Sequence, residues 1–260
     1  MGENNKGLKK GINQRIYSKS YRKYAGKYNL YFYGTVNCES GTVTVATLEI
    51  NFAKEEAVTM KIATSEGGEK LYYGDLQISE MSPNVFIVLN SDFGEQVSLT
   101  FYDEPMNCET FQCAVGAMLS ISAGDLKRAP VLNRFIITGY DVDEAHMKFI
   151  KAHLKLNTKY IDISPEMLST SVEGVFGKCE MADRITDRLK KAFYSKRYYA
   201  IEDSFIVNTL RKDENLSLRQ ADELIAELRN NSLSNINFKI NKSLDSTVYR
   251  CTNPKNISQE

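Results

Sequence analysis

The chain has 260 residues, 42% of them hydrophobic, with 33 basic and 33 acidic side chains. That length buries one large core or two smaller ones, and a formal charge of zero gives no global field to draw in nucleic acid or an anionic membrane. No apolar run approaches the roughly 18 residues of a membrane-spanning helix, and none follows the N-terminal lysines as a secretory signal requires, so the expected compartment is the cytoplasm.

Residues 1–26 are locally basic, with Lys6, Lys9, Lys10, Arg15, Lys19, Arg22 and Lys23 near a single acid, Glu3. Ile12, Ile16, Tyr17, Tyr21 and Tyr24 recur at helical spacing. The segment reads as a short amphipathic helix docked on the fold with its basic face in water. A nucleic-acid-binding arm is the sharper alternative.

Residues 27–140 read as strand after strand. "YNLYFYG" is aromatic and β-prone. "GTVTVATLEINF" shifts phase between Val45 and Leu48, which predicts a β-bulge. "KLYYGDLQIS" shifts at Gly74, which predicts a bend. "FGEQVSLTFYD" alternates, with Leu99 and Phe101 expected inward and Ser98 and Thr100 outward. "TFQCAVGAMLSIS" sets Val115, Ala117, Leu119 and Ile121 on one face and Gly116, Met118, Ser120 and Ser122 on the other. With "AVTMKI", "NVFIVLN" and "VLNRFIIT" the count is eight, joined by short links such as "NCESG" and "SDFG". Short links imply an antiparallel meander. Closure removes exposed edges, so a barrel ranks above a two-sheet sandwich. An eight-stranded barrel is filled by side chains or holds one small ligand.

After Tyr140 the period becomes helical. Residues 141–176 read as a helical connector, in which Asp143 is a candidate N-cap and Ser164 before Pro165 a second. Residues 177–260 read as a helical module. Ile185, Leu189 and Phe193 repeat at i+4, "AIEDSFIVNTLRK" is expected as a further helix, and Ser217 with Gln220 has capping-box spacing. "INFKINK" and "STVYRC" then suggest a terminal β-hairpin and a winged-helix-like outline. The fold class is α+β: an eight-stranded antiparallel meander, barrel-like, followed by this module.

Catalytic motifs are missing from the sequence. It has no phosphate-binding glycine loop, no H-E-x-x-H and no G-x-S-x-G elbow. His146 and His153, seven residues apart, suit neither acid–base catalysis nor chelation of one ion. The five cysteines are scattered, and the close pair Cys108 and Cys113 lacks the second pair a zinc site needs. No enzyme activity, metal or cofactor is expected.

The stretch "LSISAGDLKRAPVLNRF" reads instead as a mouth loop. Pro130 fixes the entry to the last strand. Lys127, Arg128 and Arg134 gather positive charge beside Ser120 and Ser122, as an anionic, nucleotide-like ligand would require. Tyr73 is a strand tyrosine able to stack on a flat ligand. The competing reading is an ion-paired turn facing Asp125 and Glu104. If an anion binds, Arg134 is the favoured ligand, because a strand holds its guanidinium in place.

The motifs "YYGDLQIS", "LSISAG", "AP" before "NRF", "LKLNTKYIDIS" and "LRNNSLSNINFKI" resemble the C-terminal sensor region of bacterial helix-turn-helix regulators of the Xre type. The resemblance implies a β-rich sensor of unassigned ligand. About 26 residues before the first strand are too few for a helix-turn-helix domain, so DNA binding is not implied. The first expectation is therefore a ligand-sensing or regulatory protein, non-enzymatic, binding a small anionic ligand. The second is a structural or protein-interaction module with a solidly packed barrel, meeting a protein partner or a second copy of itself. A nucleic-acid binder ranks third, and no membrane is expected.

Overall fold

A computed structural model describes residues 19–34, 42–64, 67–79, 81–103, 110–122, 128–156, 160–193, 197–233 and 237–239, the last by backbone alone. Eight strands pair in chain order, each antiparallel to the next: β1 (Gly26–Tyr33), β2 (Val43–Ile50), β3 (Val58–Ala63), β4 (Glu69–Ile78), β5 (Asn84–Asn90), β6 (Gln96–Tyr102), β7 (Cys113–Ile121) and β8 (Pro130–Thr138). The meander closes where Asn29–Phe32 of β1 pair with Thr138–Phe135 of β8. The expected barrel is present, and its closed ladder leaves no long edge exposed.

Period-two alternation decides what fills it. Leu30, Leu48, Met60, Leu76, Ile87, Leu89, Leu99, Met118, Phe135 and Ile137 are all fully buried in one core. Leu99 and Phe101 point inward and Ser98 and Thr100 do not, as the alternation predicts. The expected bulge in β2 is not there. Its register with β1 runs unbroken from Gly26↔Ile50 to Tyr33↔Val43. The apparent slip arises because small Ala46 belongs to the inward row, while Val43 and Val45 face outward. Gly74 does mark a change: β4 pairs with β3 over residues 69–74 and with β5 over 73–78. A Cβ there would lie 1.9 Å from the Val88 carbonyl oxygen, so only glycine admits this approach.

One end of the barrel, here the lower, is closed by the short helix α1 (Lys19–Arg22) and the turn after it. Tyr24 and Phe111 pack against Phe101 in edge and tilted contacts, and Tyr21 stands edge-on to Phe52. Lys23, buried, pairs with Asp103 at 2.9 Å. Residues 1–18, the rest of the expected basic helix, lie outside the described residues.

A 3-10 turn (Glu144–His146), capped by the Asp143 side chain, leads into α2 (Met147–Leu154). This helix lies on the outside of the barrel. Ile150 and Leu154 pack on Tyr31, Tyr33 and Ile136, and the Tyr33 hydroxyl donates to the Lys151 carbonyl at 3.0 Å. Beyond it, β9 (Tyr160–Ile163) and β10 (Tyr199–Glu202) form a two-stranded antiparallel sheet. Between them run α3 (Pro165–Phe176), capped by Ser164, and α4 (Glu180–Phe193). A helical run (α5) follows, made of Asp203–Phe205, a π-helical stretch Ile206–Leu210 and Arg211–Asp213. Ala200–Glu202, the start of the stretch expected as helix, is strand together with Tyr199 because it pairs with β9. Finally α6 (Leu218–Asn230) begins at the expected capping box. These elements share a second core of their own, including Ile163, Leu168, Ile185, Leu189, Ile201 and Leu224.

The C-terminal extended segment behaves differently from the expected hairpin. β11 (Asn237–Lys239) returns to the barrel and pairs with Val131–Asn133 of β8. It thereby occupies the part of the β8 edge that β1 leaves uncovered. The remainder of the expected hairpin lies outside the described residues.

Candidate functional site

The upper end of the barrel, where β7 leaves and β8 enters, is polar. Glu95, in the β5–β6 turn, is its centre. The Tyr72 hydroxyl donates to one Glu95 oxygen at 2.7 Å, Lys70 approaches at 3.4 Å, and the Arg128 guanidinium pairs with the carboxylate. Even-numbered residues of β4 face inward, which brings Tyr72 to this network. Tyr73, the tyrosine expected in the site, has the opposite parity and faces away from the interior. Burial works against the Glu95 carboxylate, but the Tyr72 hydrogen bond, Lys70 and Arg128 outweigh it and hold its pKa below the ordinary glutamate value. Burial and the same carboxylate push the Tyr72 phenol up, so it stays protonated.

Ser122 continues the inward row of β7. It is buried, and its hydroxyl accepts from the Ala129 amide at 2.9 Å. Ser120 lies on the same row, paired with Val131 of β8. Ser120, Ser122 and Arg128 therefore do converge on one end of the barrel. Lys127, like Asp125 and Glu104, lies outside the described residues. Arg128 is ion-paired, as in the competing reading, and its partner among the described residues is Glu95.

Arg134 departs from the expected site. On β8 it shares its parity with Leu132 and Ile136, so it leaves the barrel on the outer side. There its Nη1 donates to the His153 carbonyl, near the end of α2, at 3.3 Å. A strand does hold the guanidinium in place, but on the face covered by α2 and not at the mouth. Alternation from Arg134 to Phe135 makes this unavoidable once Phe135 is in the core.

Sequence reasoning also missed Asn133. It has the parity of Phe135 and Ile137, pairs with Met118 of β7, and is 1% exposed. Among the described residues neither its amide nitrogen nor its amide oxygen has a hydrogen-bond partner. Buried side-chain amides are almost always bonded, and an unbonded one costs on the order of 1–3 kcal/mol. The signal was legible: "VLNRFII" places an asparagine in a row otherwise made of Val131, Phe135 and Ile137. Tyr72 was missed by parity alone, and Glu95 because its turn carries no motif.

Metal chemistry has no assembled donor set among the described residues, where no three His, Cys, Asp or Glu gather. Among the described residues Cys113, half-buried, and Cys179, exposed, form no disulfide. No helix among the described residues is long and apolar enough to cross a membrane. Comparisons with family models, with curated proteins and with solved structures give no match.

Proposed function

We propose that the protein is a non-enzymatic, ligand-sensing regulatory protein whose barrel takes up a small molecule at its upper end. The observation that carries this reading is Asn133, a buried amide with a free donor and a free acceptor on the inward row of β8. An amide recognises a ligand edge with a donor beside an acceptor, as in a carboxamide or a nucleobase-type heterocycle. Ser120 and Ser122 add hydroxyls nearby on β7. Among the described residues Lys70 and Arg128 share the one Glu95 carboxylate as ion-pair partner, which favours a ligand that also bears an anionic group. The resemblance to Xre-type sensor regions belongs to this proposal and points the same way.

The test is a thermal-shift screen of carboxamides, heterocycles and nucleotides against wild type and Asn133→Leu. Leucine nearly matches asparagine in shape and needs no partner. The ligand-free variant should therefore be more stable by on the order of 1–3 kcal/mol, and hits found with wild type should disappear. Hits retained by the variant would take Asn133 out of the site.

A second reading has its own observation. Phe86 and Val88 of β5, Leu119 and Ile121 of β7 and Leu132 of β8 are large apolar residues exposed on the outer face, Leu119 by 50%. Leu119 and Leu132 are cross-strand partners. With the lower barrel packed solid, this stripe supports a protein-interaction module. A screen without hits, together with concentration-dependent sedimentation, would favour it.

A further inference from the structure

Strands β5, β6 and β7 contain no Asp, Glu, Lys or Arg; they read "NVFIVLN", "QVSLTFY" and "CAVGAMLSI". Each of β1, β2, β3, β4 and β8 carries at least one such residue. Wet protein surfaces are ordinarily studded with charge, and this part of the barrel wall has none. It presents the exposed apolar stripe instead.

The ladder register arranges the stripe in lines that cross four strands. Val88 pairs with Ser98, Ser98 with Leu119, and Leu119 with Leu132. In the next line Phe86 pairs with Thr100, Thr100 with Ala117, and Ala117 with Arg134. In both lines β6 contributes only a small side chain. A furrow floored by Ser98 and Thr100 therefore runs between a β5 ridge of Phe86 and Val88 and a β7 ridge of Leu119 and Ile121. Neighbouring strands lie about 4.8 Å apart, so ridges two strands apart stand about 10 Å from each other, room for one row of side chains.

We propose that this face binds a second copy of the same chain, about a two-fold axis that runs along the strands midway between β6 and β7. Turned about that axis, the first line meets itself in reverse. Leu119 of each copy enters the other's furrow over Ser98, and Val88 of each faces Leu132 of the other. In the next line Thr100 meets Ala117, and Phe86 meets the Arg134 stem. At the centre large meets small, as interdigitating sheet faces require.

Charge also favours a copy. An isologous contact sets each side chain against its own surface, where like charges repel. Here the central strands carry none, and the chain's formal net charge is zero. Area sets the strength. Four strands of about seven residues cover on the order of 400 Å² in outline, against about 800 Å² per partner in a stable interface of standard size. The dimer is therefore weak and forms at high chain concentration. The proposal names the partner for the interaction-module reading and rests on that reading. Ligand uptake in the barrel interior is independent of it.

The test is sedimentation velocity of the full chain from micromolar to millimolar concentration. Wild type should pass from monomer to dimer. Leu119→Glu sets two carboxylates side by side near the axis and should raise the dimer dissociation constant roughly a hundredfold. Ser98→Leu adds apolar surface but fills the furrow. It should weaken the dimer roughly tenfold, whereas indiscriminate apolar sticking would grow stronger. Val45→Glu replaces an exposed apolar residue on β2, outside the face, and should change nothing. Leu119 and Ser98 both point outward, so the cores stay intact, and an unchanged circular dichroism spectrum checks this. Wild type monomeric at every concentration would overturn the second copy and leave the stripe to a different protein. Association strengthened by Ser98→Leu, or untouched by Leu119→Glu, would overturn the proposal as well.

Discussion

At the scale of single residues, three polar side chains, Glu95, Asn133 and Arg134, decide what the barrel can do. Glu95 is bonded on all sides by Tyr72, Lys70 and Arg128, and its carboxyl pKa is lowered in spite of burial. A lowered pKa means that the ionised form stabilises the fold. That contribution is complete above the unfolded glutamate value of about 4.3 and is lost as pH falls through the lower folded value. Glu95→Gln should therefore flatten the acid limb of a stability–pH curve measured by urea unfolding, with little change in its slope from pH 6 to 8. An unchanged acid limb would mean that the network contributes nothing. Alternation along β8 would have placed both Asn133 and Arg134 from the sequence. Grouping Arg134 by its charge with Lys127 and Arg128 overlooks that adjacent strand residues face opposite ways, so that Asn133 and not Arg134 points into the barrel.

At the scale of elements, signals carried by local backbone chemistry were legible and those set by tertiary pairing were not. Ser164 with Pro165, and Ser217 with Gln220, announce helix starts because their side chains satisfy amides that any helix leaves open. Ser217→Ala should cost about 1 kcal/mol in urea unfolding, and a loss near zero would mean that α6 is held by packing alone. Tyr199–Glu202 could not be read as strand, since its partner β9 lies some forty residues earlier in the chain. The phase slip in β2 looked like a bulge because Ala46 is too small to announce an inward position. Gly116 shows the same dependence on context. A Cβ there would lie 2.3 Å from the Thr100 carbonyl oxygen and 2.5 Å from the Phe135 ring, a constraint set by strands on either side.

At the scale of the whole molecule, the chain builds two cores and joins them through α2, which packs on β1 and β8 and against α6. The eight strands and their closure could be read from short links and alternation. The return of β11 to the β8 edge could not, because three residues of extended chain do not name their partner. The barrel interior is apolar from its aromatic lower end up to Leu89, Val97 and Val131, with Tyr72, Glu95, Lys70 and Arg128 at the upper rim, and our proposed assignment of ligand uptake rests on Asn133 within it. Native mass spectrometry of freshly purified protein tests that assignment most directly. The account predicts a mass excess of one small molecule on wild type, lost on collisional activation and absent from Asn133→Leu. Bare chain mass for gently desolvated wild type, or the same excess on both proteins, would contradict it.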